Sequence, residues 1–229
     1  MRDDWKRLES WFSAHWPEII PDLNPGCSPS ALEKLEREIG VVLPDSFKEF
    51  YLIHNGQRAV NYMGMFYGAS LLPLAKILEA WTVWAGIIDE YGNEQMEDLF
   101  DQYQTSLVPS KVKAMYANKK WIPFAVFMDS NYVGLDFDPK ADGTVGQVIN
   151  FGREEEQKSV LADSFAGFIR RFIDELETEE IIFSEKGTPL PGKYRGRFSG
   201  GGTRLGGFIA HRFIDEPGLE EQKKLGILL

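Results

Sequence analysis

Two carboxylates, Asp136 and Asp138, alternate in the segment LDFDP. On an extended strand residues two apart share a face, so this pair could move a proton at a substrate or hold a cation. The sequence offers them no third ligand and no basic partner. The competing reading is the solvated end of an edge strand entering a turn, and it is the stronger one. Cys27 is the single cysteine. It lies in the loop PDLNPGCSPS, close to a helix start at Ser28–Pro29 but without a basic neighbour to generate a thiolate. The three histidines, His15, His54 and His211, are far apart, and there is no His-x-x-x-His or Cys-x-x-Cys spacing. A zinc site is therefore not expected. His54, just ahead of Asn55-Gly56, reads as a helix C-terminal histidine favoured by the helix dipole. The run Gly200-Gly201-Gly202-Thr203-Arg204 lacks the Gly-Lys-Ser/Thr ending of a phosphate loop and an apolar strand before it, so it reads as a flexible basic loop. No Gly-x-Ser-x-Gly elbow is present. The expectation is a chain with no metal, no cofactor and no catalytic set.

The denser signal is electrostatic. Asp89, Glu90, Glu94, Glu97, Asp98 and Asp101 follow one another with no Lys or Arg between them, just downstream of Trp81 and Trp84. Two readings stay open. A charge run is ordinarily a solvated face. It can also be a docking surface for a basic partner, with the acids steering encounter and the two tryptophans anchoring the contact. The net charge of −10, from 35 acidic and 25 basic residues, opposes direct binding of nucleic acid or of anionic membranes. The window 186–207 departs from this trend: it carries Lys186, Lys193, Arg195, Arg197 and Arg204 and no acidic residue. A local nucleic-acid contact there has to work against the charge of the whole.

The elements that must position these residues are legible from periodicity. Trp5, Leu8, Phe12 and Trp16 have helical spacing, and Pro17 stops that helix. Ser28 caps a second helix with Leu32, Leu35 and Ile39 on one face, and Gly40 ends it. A third, capped by Asp45 or Ser46, bears Phe47, Phe50 and Tyr51 and runs to Asn55-Gly56. Residues 60–68 suggest a short strand between turns. Leu74, Ile77, Leu78, Trp81, Trp84 and Ile88 define a further helix, and residues 94–106 another, more exposed one. Strands are expected at Trp121–Met128, Tyr132–Phe137 and Val145–Phe151, then a helix over Ser164–Leu176. With 229 residues and 43% hydrophobic content, residues 1–178 suffice for one sizeable core, and 179–229 read as a Gly-rich basic extension. The longest apolar stretch, 71–88, is broken by Pro73, Lys76 and Glu79, and the N-terminal MRDDWKRLESWF has no signal-peptide core. A cytoplasmic protein is expected.

The order NPGCSPSALEKLEREIGVVLPDSFKEFYLIHNGQ, Leu71-Leu72-Pro73-Leu74 with Trp81, then KKWIPFAV, GLDFDP, GQVINFG and VLADSFAGFIRRFIDEL resembles the SUKH superfamily, in the branch of yeast cell-wall assembly regulators of the Smi/Knr type. The resemblance covers about residues 3–178. It implies an α+β fold, with a curved mixed or antiparallel sheet flanked by helices, and no enzymatic activity. It implies a protein partner. The leading expectation is an immunity-type protein that neutralises a basic toxin domain, such as a nuclease, through the Trp81–Asp101 surface. The alternative is a regulatory scaffold with no toxin partner.

Overall fold

The computed structural model describes residues 1–59, 64–127 and 130–178, with Asn93 by its backbone alone, and the backbone of 181–183 and 189–191. The fold is α+β. Helix α1 (Arg2–His15) leads through a 3-10 turn, Pro17–Asp22, to α2 (Pro29–Ile39) and α3 (Asp45–Tyr51). Strand β1 (Ser70–Leu71) precedes α4 (Leu74–Leu99), a second 3-10 turn at Asp101–Tyr103, and β2 (Thr105–Ser106). Then follow β3 (Trp121–Phe127), β4 (Asn131–Asp136), β5 (Gln147–Gly152), β6 (Gln157–Lys158), β7 (Val160–Ala162) and α5 (Phe165–Thr178). A hairpin of β8 (Ile181–Phe183) and β9 (Pro189–Pro191) comes after it.

Five strands form one antiparallel sheet in the order β1-β3-β4-β5-β7. β2 and β6 make a separate parallel pair. β3, β4 and β5 are buried along their whole length because helices cover both faces. On one face Phe124 meets Phe47 of α3 and Phe165 and Phe168 of α5. On the other, Trp84 of α4 meets Tyr132 and Phe151.

The local rules read from the sequence operate at several points. Ser28 Oγ accepts the Ala31 N–H at 3.2 Å, and Gly40 closes α2 in the left-handed conformation at φ 66°. α5 buries Phe165, Phe168, Ile169, Phe172 and Ile173, the predicted stripe.

Other points differ. Neither Asp45 nor Ser46 caps α3, whose cap position is Pro44. α3 ends at Tyr51, several residues before Asn55-Gly56. That pair acts elsewhere: Asn55 Oδ1 accepts the Leu74 N–H at 3.0 Å and so caps α4. Gly56 has φ 71°, and a Cβ there would lie 2.4 Å from the Pro73 nitrogen, so only glycine fits. In place of a strand over 60–68, residues 64–69 form turns with isolated bridges, and 60–63 lie outside the described residues. So do the basic side chains of 186–207 and the run Gly200–Arg204. Among the described residues no helix is long and apolar enough to cross a membrane.

Candidate binding cleft

The residues with catalytic potential are occupied by structural work. Asp136 is fully buried, and its carboxylate accepts from Trp121 Nε1 at 3.1 Å, Gln147 Nε2 at 2.9 Å and the Asp138 N–H at 2.9 Å. Burial pushes its pKa up, against these donors. Asp138 differs. Partial burial opposes its ionisation, but Lys113 at 2.6 Å and Asn118 at 2.8 Å outweigh that and hold the carboxyl below its ordinary value. The two carboxylates therefore do not act as a pair, and Asp138 has the basic partner that the sequence did not reveal. Cys27 is half-buried, and burial raises its thiol away from the reactive thiolate. His54 Nδ1 lies 2.9 Å from the Asn24 carbonyl and Nε2 2.8 Å from Glu9, with the ring edge on Trp5. It ties α1 to the loop after α3, a tertiary role beyond a helix-end histidine. Among the described residues no three His, Cys, Asp or Glu side chains converge as a metal site.

The acidic segment is built differently. α4 is interrupted at Gly92, which has φ 69° and ψ 167°. That conformation is open essentially to glycine alone. Up to Tyr91 the helix lies on the sheet, and beyond Gly92 a short arm carries most of the acids. The arm is fastened by Met96, 4% exposed, and by Phe100, stacked on Tyr116 at 4.9 Å and edge-on to Tyr91. Asp101 Oδ1 accepts the Tyr116 N–H at 2.7 Å. At its far end Lys158, fully buried, donates to Gln104 Oε1 at 2.7 Å and to the Glu155 carbonyl. Burial pushes the Lys158 pKa down to about 8, although Glu155, Asp101 and Glu156 favour the cation.

The eight residues expected to dock a partner thus fall into distinct groups. Glu90, Glu94, Glu97 and Asp98 are exposed. Asp89 is exposed but engaged by Lys119 in an ion pair. Asp101 is half-buried and bonded to Tyr116. Trp81 is half-buried and donates from Nε1 to the Lys119 carbonyl at 2.9 Å. Trp84, 6% exposed, is a core residue packed on Tyr116, Tyr132 and Phe151, which corrects its expected role as a surface anchor. The exposed apolar side chains beside the acids are Leu99 and Tyr103, 52% and 64% exposed. Nothing in the sequence flagged them, because isolated exposed apolar residues are ordinary.

Between the arm and the 113–119 loop lies an open cleft of about 650 Å³. Ile88, Met96 and Met115 supply its apolar lining, and Glu97 and Asp101 stand on the arm side. Lys113 and Lys119 border it too, but each is matched by a carboxylate, Asp138 and Asp89 respectively. Among the described residues no cation lies within ion-pair distance of Glu94, Glu97, Asp98 or Asp101.

The fold is thus of the α+β class, with an open acid-rimmed cleft beside a closely packed sheet core. The chain belongs to the SMI1 / KNR4 family (SUKH-1), whose profile matches residues 26–171. It is 30% identical over 193 residues to the cell wall biosynthesis/cell cycle regulator smi1 of Schizosaccharomyces pombe, covering 82% of this chain and 38% of the relative. It is 25% identical over 200 residues to the cell wall assembly regulator SMI1 of Saccharomyces cerevisiae, covering 76% and 40%. With a glucan synthesis regulatory protein of Neurospora crassa it shares 24% over 208 residues, covering 79% and 39%. The chain spans about two fifths of the length of these relatives.

Proposed function

We propose that this chain is a non-enzymatic regulatory binding domain of the cell-wall assembly type, acting in a reducing, cytoplasmic setting through the acid-rimmed side of α4. One observation carries the reading. The match to the family extends over residues 26–171, a span that includes both walls of the cleft, and the relatives above are named as regulators of cell-wall biosynthesis, cell-wall assembly and glucan synthesis. The burial of Asp136 and its three donors support a structural role for that carboxylate. The expectation of a toxin-neutralising immunity protein gives way to its alternative, because those names favour a regulator, and the acidic surface serves either role equally well.

The test is a chimera in which this chain replaces the matching region of the Schizosaccharomyces pombe regulator. The chimera should restore the cell-wall composition of the parent in a strain that lacks the regulator. A chimera present at the parental level, yet behaving as a strain without the regulator, overturns the reading.

A further inference from the structure

Resting on the reading of this chain as a binding module, we infer that the cleft under the acidic arm is a docking groove for a basic linear segment of a partner protein, one that inserts a single apolar side chain between Met96 and Met115.

Size selects the kind of occupant. A cleft of about 650 Å³ admits one or two side chains with the backbone between them, the footprint of a short linear segment. Its lining then selects what enters. Met96 and Met115 come from opposite walls, and unbranched thioethers re-pack around side chains of different shape. An apolar side chain reaching them is taken from water on both sides.

Charge selects what flanks the insertion. Lys113 is matched by Asp138 and Lys119 by Asp89, so the basic residues of the rim are already neutralised. Glu97 at the opposite lip, with Glu94 and Asp98 exposed on the same arm, leaves a negative field that no ion pair among the described residues offsets. Lys or Arg on either side of the inserted residue would meet that field, whereas an acidic peptide, a nucleic acid or an anionic membrane would be repelled. Leu99 and Tyr103, exposed on the arm itself, extend the apolar contact beyond the cleft mouth.

The break at Gly92 is what makes the groove. It ends the regular turns of α4 after Tyr91 and gives the arm its own course, fastened by Phe100 against Tyr116 and Tyr91. A side chain built at Gly92 would meet nothing within 4 Å, so the glycine is set by backbone conformation and not by crowding.

The experiment is selection from a random-sequence peptide library against the full chain, followed by NMR of labelled methionine methyl groups with the most enriched peptide. Enriched peptides should carry Lys or Arg around one large apolar residue. The Met96 and Met115 methyl signals should shift on titration while those of Met65, in the core, stay fixed. Glu97→Lys, at an exposed position, should weaken binding about tenfold and flatten its salt dependence. Met115→Trp, which fills the cleft, should abolish it. Recovery of acidic or purely apolar peptides, no enrichment at all, self-association in place of peptide binding, or shifts away from Met96 and Met115 would each overturn the proposal. The two readings fail separately. A functional chimera with no basic peptide bound sinks the groove alone, whereas peptide docking at Met96 and Met115 in a non-functional chimera sinks the regulator reading alone.

Discussion

The two faces of the central sheet are built for opposite purposes. On the α3 and α5 face, Phe47, Phe50, Phe124, Phe165 and Phe168 are buried and meet one another ring to ring. On the α4 face the buried residues of the helix run to Trp84 and Ala85, and beyond them, among the described residues of α4, only Met96 is buried. Beyond Gly92 the chain lifts into an arm held by a few contacts, and an open cleft lies beneath it. Local stability follows local burial, so the first face should unfold only with the whole molecule, and the arm should open at far lower cost. A binding surface belongs on the second kind of ground: its backbone is placed by a rigid sheet, while its rim can adjust to an occupant.

The sharpest way to break this contrast is to cut into the first face. Phe124→Ala removes a ring that touches Phe47, Phe66, Phe165 and Phe168. It should cost about 3–5 kcal/mol of unfolding free energy by urea denaturation. A loss near zero would mean that this face is not the stabilising one. The next largest effect concerns the anchor of the arm. Lys158 has a folded pKa of about 8, below the ordinary lysine value of 10.5. Below pH 8 both states hold the proton, and folding bears the full cost of burying the cation. Between pH 8 and 10.5 only the unfolded state keeps it, so stability rises with pH. Relative to Lys158→Met, the wild-type protein should therefore gain stability across that window, by at most about 3 kcal/mol. At neutral pH the variant should be the less stable of the two, since it removes the hydrogen bonds to Gln104 and the Glu155 carbonyl and the cation that the buried Glu155 carboxylate favours. A flat difference between the two proteins from pH 8 to 10.5 refutes the buried-cation account.

The same contrast explains what was legible in the sequence. Elements of the rigid face announce themselves by period. Phe165, Phe168, Ile169, Phe172 and Ile173 mark α5, and the apolar run from Trp121 marks β3. The strands β1 and β7 were invisible because two or three residues carry no period. Trp81 and Trp84 show where periodicity fails. Spacing places them on the inner stripe of α4 with Ile77 and Ile88, but nearness to the acids in sequence suggested a common surface. In space Trp84 enters the core, while Glu94, Glu97, Asp98 and Asp101 ride the arm beyond Gly92. The Lys113–Asp138 and Lys119–Asp89 pairs join residues 25 and 30 apart, and no local pattern predicts such closures. They decide which of the charges at the cleft remain unmatched, so the character of the site had to come from the fold.

Two smaller perturbations sharpen the comparison from the arm's side. Gly92→Ala forces a side chain onto φ 69° and ψ 167° and should cost about 1–3 kcal/mol. If α4 escapes the strain by running on as a regular helix, Phe100 leaves Tyr116 and the amides of 93–104 lose protection in hydrogen exchange, while those of β3 to β5 keep theirs. Unchanged protection in 93–104 together with unchanged stability would show that the break is not set by the glycine. Glu97→Gln should change stability least of all. Its side chain is exposed, and among the described residues it has no ion-pair partner to lose. The expected change is within about 0.5 kcal/mol, and a slight gain is the favoured sign, because removing one charge relieves repulsion from Glu94, Asp98 and Asp101. That gain should shrink as salt rises, since exposed charges are screened over about 10 Å at 0.1 M. A loss of stability that persists in high salt would mean that Glu97 makes a structural contact, and the arm's acids would then count as part of the scaffold and not as free surface.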